Sequence, residues 1–147
     1  VAMTTLAFER SSLAFQLQVE TRHGDEALAR LLVERGVADD PRLLAELGRL
    51  QGQSEALRLS TTRAISALQA GGTPGPEGST AKLTWAHLMQ DLARVALEVL
   101  GPELHAPEHA YWRRLYLRAR GKSVEGGTDE IQRSIVAERV LGLPKSR

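Results

Sequence analysis

Apolar residues recur at intervals of three and four along most of this sequence, which is the pattern of amphipathic helices. The first such stripe extends from Met3 to Leu32 and is interrupted only around Gly24-Asp25. We predict a first helix from the start of the chain to about Gly36, which the Gly24-Asp25 pair either weakens or divides. No segment of the sequence shows the sustained alternation of polar and apolar residues that marks a strand.

Three more apolar stripes, separated by helix breakers, predict the next helices. Asp40 suits an N-cap, and Ser79 suits the cap of the helix that follows the Pro/Gly-rich loop 71–78. The predicted helices span about Pro41–Gln69, Ser79–Leu100 and Ala110–Arg120. The short helix is expected to pack through Trp112, Leu115, Tyr116 and Leu117, with Trp112 and Trp85 in the core.

The last apolar stripe follows a pair of glycines and is flanked by residues that favour the start and the end of a helix. Thr128 is predicted to be the N-cap, and Asp129 and Glu130 put negative charge at the positive end of the helix dipole. Gly142 can adopt the left-handed conformation that ends a helix. This helix has a wide apolar face that is expected to pack against another surface, formed by Ile131, Ile135, Val136, Val140 and Leu141.

Long helices joined by short connections favour antiparallel neighbours. The predicted fold is therefore all-α, an up-and-down four-helix bundle with an extra short helix, in one domain over residues 1–147. The chain opens in helical periodicity without a cap, which suggests a fragment of a longer protein.

Composition excludes several classes of partner. The 19 Lys+Arg residues balance 18 Asp+Glu residues, so no net field favours nucleic acid or an anionic membrane. With no cysteine, the chain has no disulfide and no thiolate metal site, which agrees with a cytoplasmic location. His105 and His109 are four residues apart, but Pro107 lies between them, and no metal site is predicted.

The segment Gly126-Gly127-Thr128-Asp129-Glu130-Ile131-Gln132-Arg133, with the Ile-Val-Ala-Glu-Arg-Val-Leu-Gly-Leu-Pro that follows Ser134, resembles the C-terminal signature of the acyl-CoA dehydrogenases. Weaker resemblances occur at Ser79–Leu83, Trp112 and Leu117–Ala119. The resemblance covers essentially the whole chain and implies the helical bundle that ends such proteins. The N-terminal helical domain and the small β domain of the family are missing from this sequence.

This resemblance implies the α,β-dehydrogenation of an acyl-CoA thioester with FAD as cofactor. It also implies a homo- or hetero-tetramer and an electron acceptor such as electron-transferring flavoprotein. Because the missing domains hold much of the flavin in relatives, the chain alone is expected to be inactive. Acyl chain length and branching are left open.

The resemblance also suggests where the base for the α-proton lies. Many family members carry a glutamate directly before the Gly-Thr of the signature, where this chain has Gly126. In the isovaleryl-CoA and long-chain branches the base comes from the first helix of the domain, in a segment similar to Phe8-Glu9-Arg10. Glu9 is thus the candidate base, Arg10 could orient it, and the N–H of Gly126 could hold the thioester oxygen. A structural ion pair of Glu9 is the alternative.

Three residues match flavin-contacting positions of relatives: Thr128, Glu130 and Arg35. The segment after Arg35 lacks the phenylalanine that follows this arginine in the family, which weakens that assignment. A second function also stays open, in which the bundle serves only for assembly in a mixed tetramer while another chain carries out the chemistry. A carboxylate at position 9 favours the catalytic interpretation.

Overall fold

The computed structural model describes the backbone of residues 2–72 and 75–145, and the side chains of residues 16–72, 75–76 and 78–145. It contains five α-helices, and no strand occurs in these ranges, which confirms the all-α prediction. Short 3-10 segments flank the fourth helix at 101–105, 107–109 and 120–123. The helices are α1 (Ala2–Glu34), α2 (Pro41–Gln69), α3 (Glu77–Leu100), α4 (Ala110–Ala119) and α5 (Asp129–Arg139). None of the helices described is long and apolar enough to cross a membrane.

The three long helices pack against one another, and α4 and α5 both pack against α3. Leucines fill the centre of the bundle, and Leu28, Leu50 and Leu92 are completely buried. Ion pairs fix the direction of α3 relative to α2: Arg49 pairs with Asp91 at 2.7 Å and Arg42 with Glu98 at 2.5 Å. Since the earlier residue of α2 pairs with the later residue of α3, the two helices are antiparallel.

Helix α1 continues without a break through Gly24-Asp25. Gly24 is buried where α1 crosses α3, and a Cβ built on it would lie 2.7 Å from Cδ1 of Leu92. Gly24 therefore allows α1 and α3 to pack closely at this position. Glycine destabilises a helix relative to alanine, but here the close packing outweighs that cost.

Helices α2 and α5 have the predicted N-cap residues, whereas α3 does not. Asp40 caps α2 by accepting a hydrogen bond from the N–H of Arg42 at 2.8 Å, with Pro41 at the first position. Helix α3 instead begins at Glu77, after Pro76, because Pro76 already holds a helical φ of −74°. Ser79 is therefore not the cap: it lies in the first turn, buried, and its hydroxyl has no partner among the described residues.

The two short helices bury narrower faces than the sequence predicted. In α4 the buried residues are Trp112, Leu115 and Ala119, which share one face, whereas Tyr116 and Leu117 are exposed. In α5 the buried residues are polar, Asp129 and Gln132. The predicted apolar face of α5 is only partly buried within this chain: Ile135 and Val136 are half-buried, whereas Ile131 is exposed, as are Val140 and Leu141, which lie beyond the helix end at Arg139.

Candidate functional site

The turn before α5 is built from two consecutive glycines in left-handed conformations. The φ angles of Gly126 and Gly127 are +66° and +101°, values that other residues rarely adopt. Gln132, one turn into α5, is completely buried and donates its Nε2 to the carbonyl of Gly126 at 2.8 Å. A Cβ on Gly127 would lie 2.7 Å from this Nε2, so close packing also requires glycine there.

The start of α5 is fixed to α3 by a buried carboxylate. Thr128 is the N-cap, as predicted, with its hydroxyl accepting the N–H of Ile131 at 3.5 Å. Asp129 accepts from Nζ of Lys82 at 3.2 Å and is 2.7 Å from Nε2 of His87. Burial alone would raise the pKa of Asp129, but the hydrogen bonds with His87 and Lys82 hold the pKa below its usual value. The glycine turn is thereby held in a fixed position relative to the core.

A cleft of about 460 Å³ lies beside this turn. Its walls come from elements far apart in the sequence: α1, the first half of α3, and the segment that ends at Gly126. The side chains from α1 and α3 that line it are Gln16, Leu17, Glu20, Lys82 and Trp85.

The charged groups around the cleft are paired. Nζ of Lys122 lies 3.0 Å from a carboxylate oxygen of Glu20 and 4.0 Å from the ring centre of Trp85. Arg118 donates to Glu125 at the same rim. The Lys122–Glu20 pair joins residues 102 positions apart and links α1 to the segment before the glycine turn. Among the described residues, the cleft therefore combines a wall of Leu17 and Trp85 with charged side chains that are paired with one another.

Of the predicted catalytic residues, Gly126 lines this cleft. Among the described residues, its N–H has no backbone acceptor. Glu9 and Arg10 belong to α1, but their side chains lie outside the described residues, so both roles stay predictions.

The three predicted flavin contacts do not lie together. Thr128 and Glu130 lie at the start of α5, beside the glycine turn, and the pKa of Glu130 is lowered by its own backbone N–H and then by Thr128. Arg35, just beyond α1, pairs with Glu103 at 2.7 Å, and this contact raises the pKa of Arg35. Arg35 is not among the described residues that line the cleft.

Sequence reasoning missed four residues of this site: Lys82, Trp85, Lys122 and Gln132. Trp85 was predicted only as core, and it is buried, yet it also forms a cleft wall. Lys122 follows a glycine in an exposed-looking segment, with no signal that it would be buried against Trp85. For Gln132 a signal existed, because a polar residue sits between apolar positions in the first turns of α5.

A backbone donor without a partner among the described residues, beside Leu17 and Trp85, suits a neutral carbonyl compound. Backbone N–H groups stabilise charge that develops on a carbonyl oxygen when water is excluded. A phosphate group would need free cations, and the lysines beside the cleft already have carboxylate partners.

Two curated relatives align with almost the whole chain. Acyl-CoA dehydrogenase IpdE1 of Mycolicibacterium smegmatis is 37% identical over 150 residues, covering 99% of this chain and 36% of the relative. Acyl-CoA dehydrogenase IpdE1 of Mycobacterium tuberculosis is 36% identical over 149 residues, covering 99% of this chain and 38% of the relative. The chain therefore spans little more than a third of the length of these relatives.

Solved structures with the same fold are also found. A structure described as "Tcur3481-Tcur3483 steroid ACAD" has a TM-score of 0.82 at 24% identity, covering 97% of this chain and 39% of that one. The ChsE4-ChsE5 complex from Mycobacterium tuberculosis has a TM-score of 0.64 at 25% identity, covering 92% of this chain and 37% of that one.

The match to a protein family covers the same range as the helices and the cleft. Residues 1–141 match the family described as "Acyl-CoA dehydrogenase, C-terminal domain". Together with the left-handed glycine turn and the five-helix bundle, this match shows that the chain belongs to the acyl-CoA dehydrogenase family, as its C-terminal helical domain.

Proposed function

We propose that the longer protein is a flavin-dependent acyl-CoA dehydrogenase, in which this domain supplies the base and a hydrogen-bond donor for the thioester. The α-proton passes to the carboxylate of Glu9 while the thioester oxygen accepts the N–H of Gly126. Bound FAD would supply the acceptor for the β-hydrogen, which leaves as a hydride, so that a carbon–carbon double bond forms.

The observation that carries this proposal is the meeting of α1 with the glycine turn across the cleft. Gln16 and Glu20 line the cleft from α1, opposite Gly126. Position 9 precedes Gln16 by seven residues, close to two helical turns, so in a regular helix it shares the face of Gln16. That helical register supports position 9 as the origin of the base, since it is the register with which α1 lines the cleft.

The glycine at position 126 supports the same assignment. A glutamate at this point would need a left-handed φ of +66°, which is costly for a side chain other than glycine. In this chain the turn therefore carries a glycine where many family members carry the glutamate, which leaves the base to another element. Glu125 does line the cleft, but its carboxylate is already engaged by a hydrogen bond from Arg118.

The residues near the turn are compatible with a flavin. The hydroxyl of Thr128 accepts a long hydrogen bond in the cap and also hydrogen-bonds with the carboxylate of Glu130, so a cofactor oxygen would have to replace Glu130 as the acceptor of its proton. Glu130 is exposed beside it. Arg35 would have to exchange its partner Glu103, which is itself half exposed, before it could contact a diphosphate. We therefore assign Thr128 and Glu130 to this subunit's flavin and leave Arg35 as a contact to a neighbouring subunit.

The first test uses the full-length protein with bound flavin and an artificial electron acceptor. Straight-chain, branched-chain and steroid-acid CoA thioesters are assayed, the last because a similar fold is described as a steroid ACAD. We expect Glu9→Gln to lower kcat by about 10²-fold or more, because it removes the proton acceptor and little volume.

Glu125→Gln is the matched control and should keep most of the activity, since its carboxylate is already paired with Arg118. Near-normal turnover of Glu9→Gln would contradict the base assignment. Absence of dehydrogenase activity in the wild-type protein, with every thioester, would instead favour the second candidate, a subunit kept for assembly. The specific observation behind that candidate is the exposed apolar face of α5.

A further inference from the structure

We infer that Gln132 is a positioning residue for the thioester: its side-chain amide fixes the glycine turn so that the N–H of Gly126 is held as a hydrogen-bond donor. This inference rests on the proposed function and assigns a role to a residue that touches neither substrate nor cofactor.

The glycine turn needs an external restraint. Glycine rotates freely about φ and ψ, so two glycines in succession leave the direction of the N–H of Gly126 poorly determined. A donor stabilises a developing oxyanion well only if it is held in place before the reaction. Two bonds meet this need: the N–H of Glu125 donates to the carbonyl of Gly121 at 2.9 Å, and Gln132 donates to the carbonyl of Gly126 at 2.8 Å. The N–H of Gly126 lies between these two fixed points.

The second proton of the same amide supports this role. Nε2 of Gln132 also lies 3.5 Å from the carbonyl of Gly127, so one amide group reaches both carbonyls of the glycine pair. A Cβ on Gly127 would lie 2.7 Å from Nε2, and the absence of that atom is what lets the amide approach. The contact therefore depends on both residues, on the missing Cβ of Gly127 and on the side-chain amide of Gln132.

A simple packing role does not account for an amide at this position. Gln132 is completely buried, and its Oε1 has no partner among the described residues. An unpaired buried oxygen costs stability. Leucine or methionine would fill a buried position on α5 without that cost. What the glutamine adds is the donor directed at the turn.

The test uses the full-length holoenzyme and whichever of octanoyl-CoA, isovaleryl-CoA and a steroid-acid CoA thioester the wild type oxidises fastest. Gln132→Glu keeps the shape but loses the amide donor, and Gln132→Leu removes all hydrogen bonding. We expect kcat to fall by about 10²-fold in both, as for a misplaced catalytic group, with a much smaller change in KM.

Two further readouts separate positioning from a general loss of structure. The carbonyl stretch of the bound thioester should move toward its value in free thioester, because the hydrogen bond to its oxygen weakens. In Gln132→Glu the activity relative to wild type at the same pH should recover as pH falls, since burial raises the pKa of the introduced carboxyl and its protonated form can donate again. Gln132→Leu should show no such recovery.

Gln90→Glu is the matched control. Gln90 donates to Ser123 and accepts from Arg120, close to the turn but without contact to the glycines. It should keep the wild-type kcat and the wild-type carbonyl stretch.

Three outcomes would overturn the inference. If the wild type is active and both Gln132 variants keep its kcat and carbonyl stretch, only this inference fails. If both variants lose their helical circular dichroism and their flavin, the amide of Gln132 is required for folding and does not act by orienting the N–H of Gly126. If the wild type oxidises no thioester, the proposed function fails, and this inference fails with it.

Discussion

At the scale of single residues, the charge at the start of α5 shows what the sequence can and cannot reveal. Asp129 was predicted as a residue that favours the helix dipole, and it does lie in the first turn. Its side chain is nevertheless only 10% exposed, and it is held by Lys82 and His87. Both partners lie more than forty residues earlier in the chain, and no local pattern announces a pairing at that distance.

The first prediction in this group concerns the Lys82–Asp129 pair. Asp129→Asn should lower the free energy of unfolding of the chain by about 3 kcal/mol near neutral pH, because it leaves the charge of Lys82 buried without a counter-charge. Thermal unfolding followed by circular dichroism measures this difference. Asp39→Asn, in the exposed connection between α1 and α2, is the control and should change little.

The same variant has a defined pH dependence. Because the pKa of Asp129 is lowered in the folded chain, its stabilisation is fully present above the unfolded value of ~3.9 and is lost as pH falls through the folded value. The stability difference between wild type and Asp129→Asn should therefore be constant near neutral pH and should shrink in acid below about pH 4. A difference that persists unchanged in strong acid would contradict the role of the charge.

At the scale of elements, the sequence predicted which helices exist and most of their ends, because caps and breakers are local features. Asp40-Pro41 and Thr128 start α2 and α5 as predicted. The faces of the short helices were predicted less well. In α4, Leu117 fits the apolar stripe, but it is 73% exposed, because α3 covers only the face of Trp112, Leu115 and Ala119. Which part of a broad stripe is buried depends on the neighbouring helix.

The crossing of α1 and α3 gives a prediction at this scale. Gly24→Ala adds a methyl group at 2.7 Å from Cδ1 of the fully buried Leu92. Overpacking of a core typically costs about 1–3 kcal/mol, which exceeds the gain of about 1 kcal/mol from replacing glycine in a helix. The variant should therefore be less stable by chemical denaturation.

Gly48→Ala in α2 is the matched control. It lies in a helix with no atom within 4 Å of the added Cβ, so it should stabilise the chain by up to about 1 kcal/mol. The double variant Gly24→Ala, Leu92→Val should be more stable than the sum of its single effects, because the smaller side chain makes room. Equal effects of alanine at positions 24 and 48 would show that α1 and α3 do not approach so closely.

At the scale of the whole molecule, the bundle combines an enclosed leucine core with an open cleft and with exposed apolar residues near α5. The core is dominated by leucine and is well enclosed by α1, α2 and α3. The cleft, by contrast, could not be predicted from the sequence, since its walls come from residues 16–20, 78–85 and 118–126. Of the residues that line the cleft, only Gly126, in the glycine pair, could be recognised from the local sequence. The link of this pair to the first helix came from the family resemblance.

The exposed apolar residues on and just beyond α5 also belong to this scale. Ile131, Val140 and Leu141 are 53%, 50% and 65% exposed, although the sequence pattern predicts a buried face. The chain spans only 36% and 38% of the length of the two IpdE1 relatives, and we expect another protein surface to cover these side chains.

The last prediction follows from that exposure. Exposed apolar side chains of this size favour association, so the 147-residue chain in solution should self-associate in a concentration-dependent way, measured by size-exclusion chromatography with light scattering. Leu141→Asp should shift the chain toward monomer without lowering its helical content, because the side chain makes little contact with the core. Leu44→Asp, at an equally exposed leucine on α2, should leave association unchanged. A wild-type chain that stays monomeric at high concentration would show that this face needs no cover.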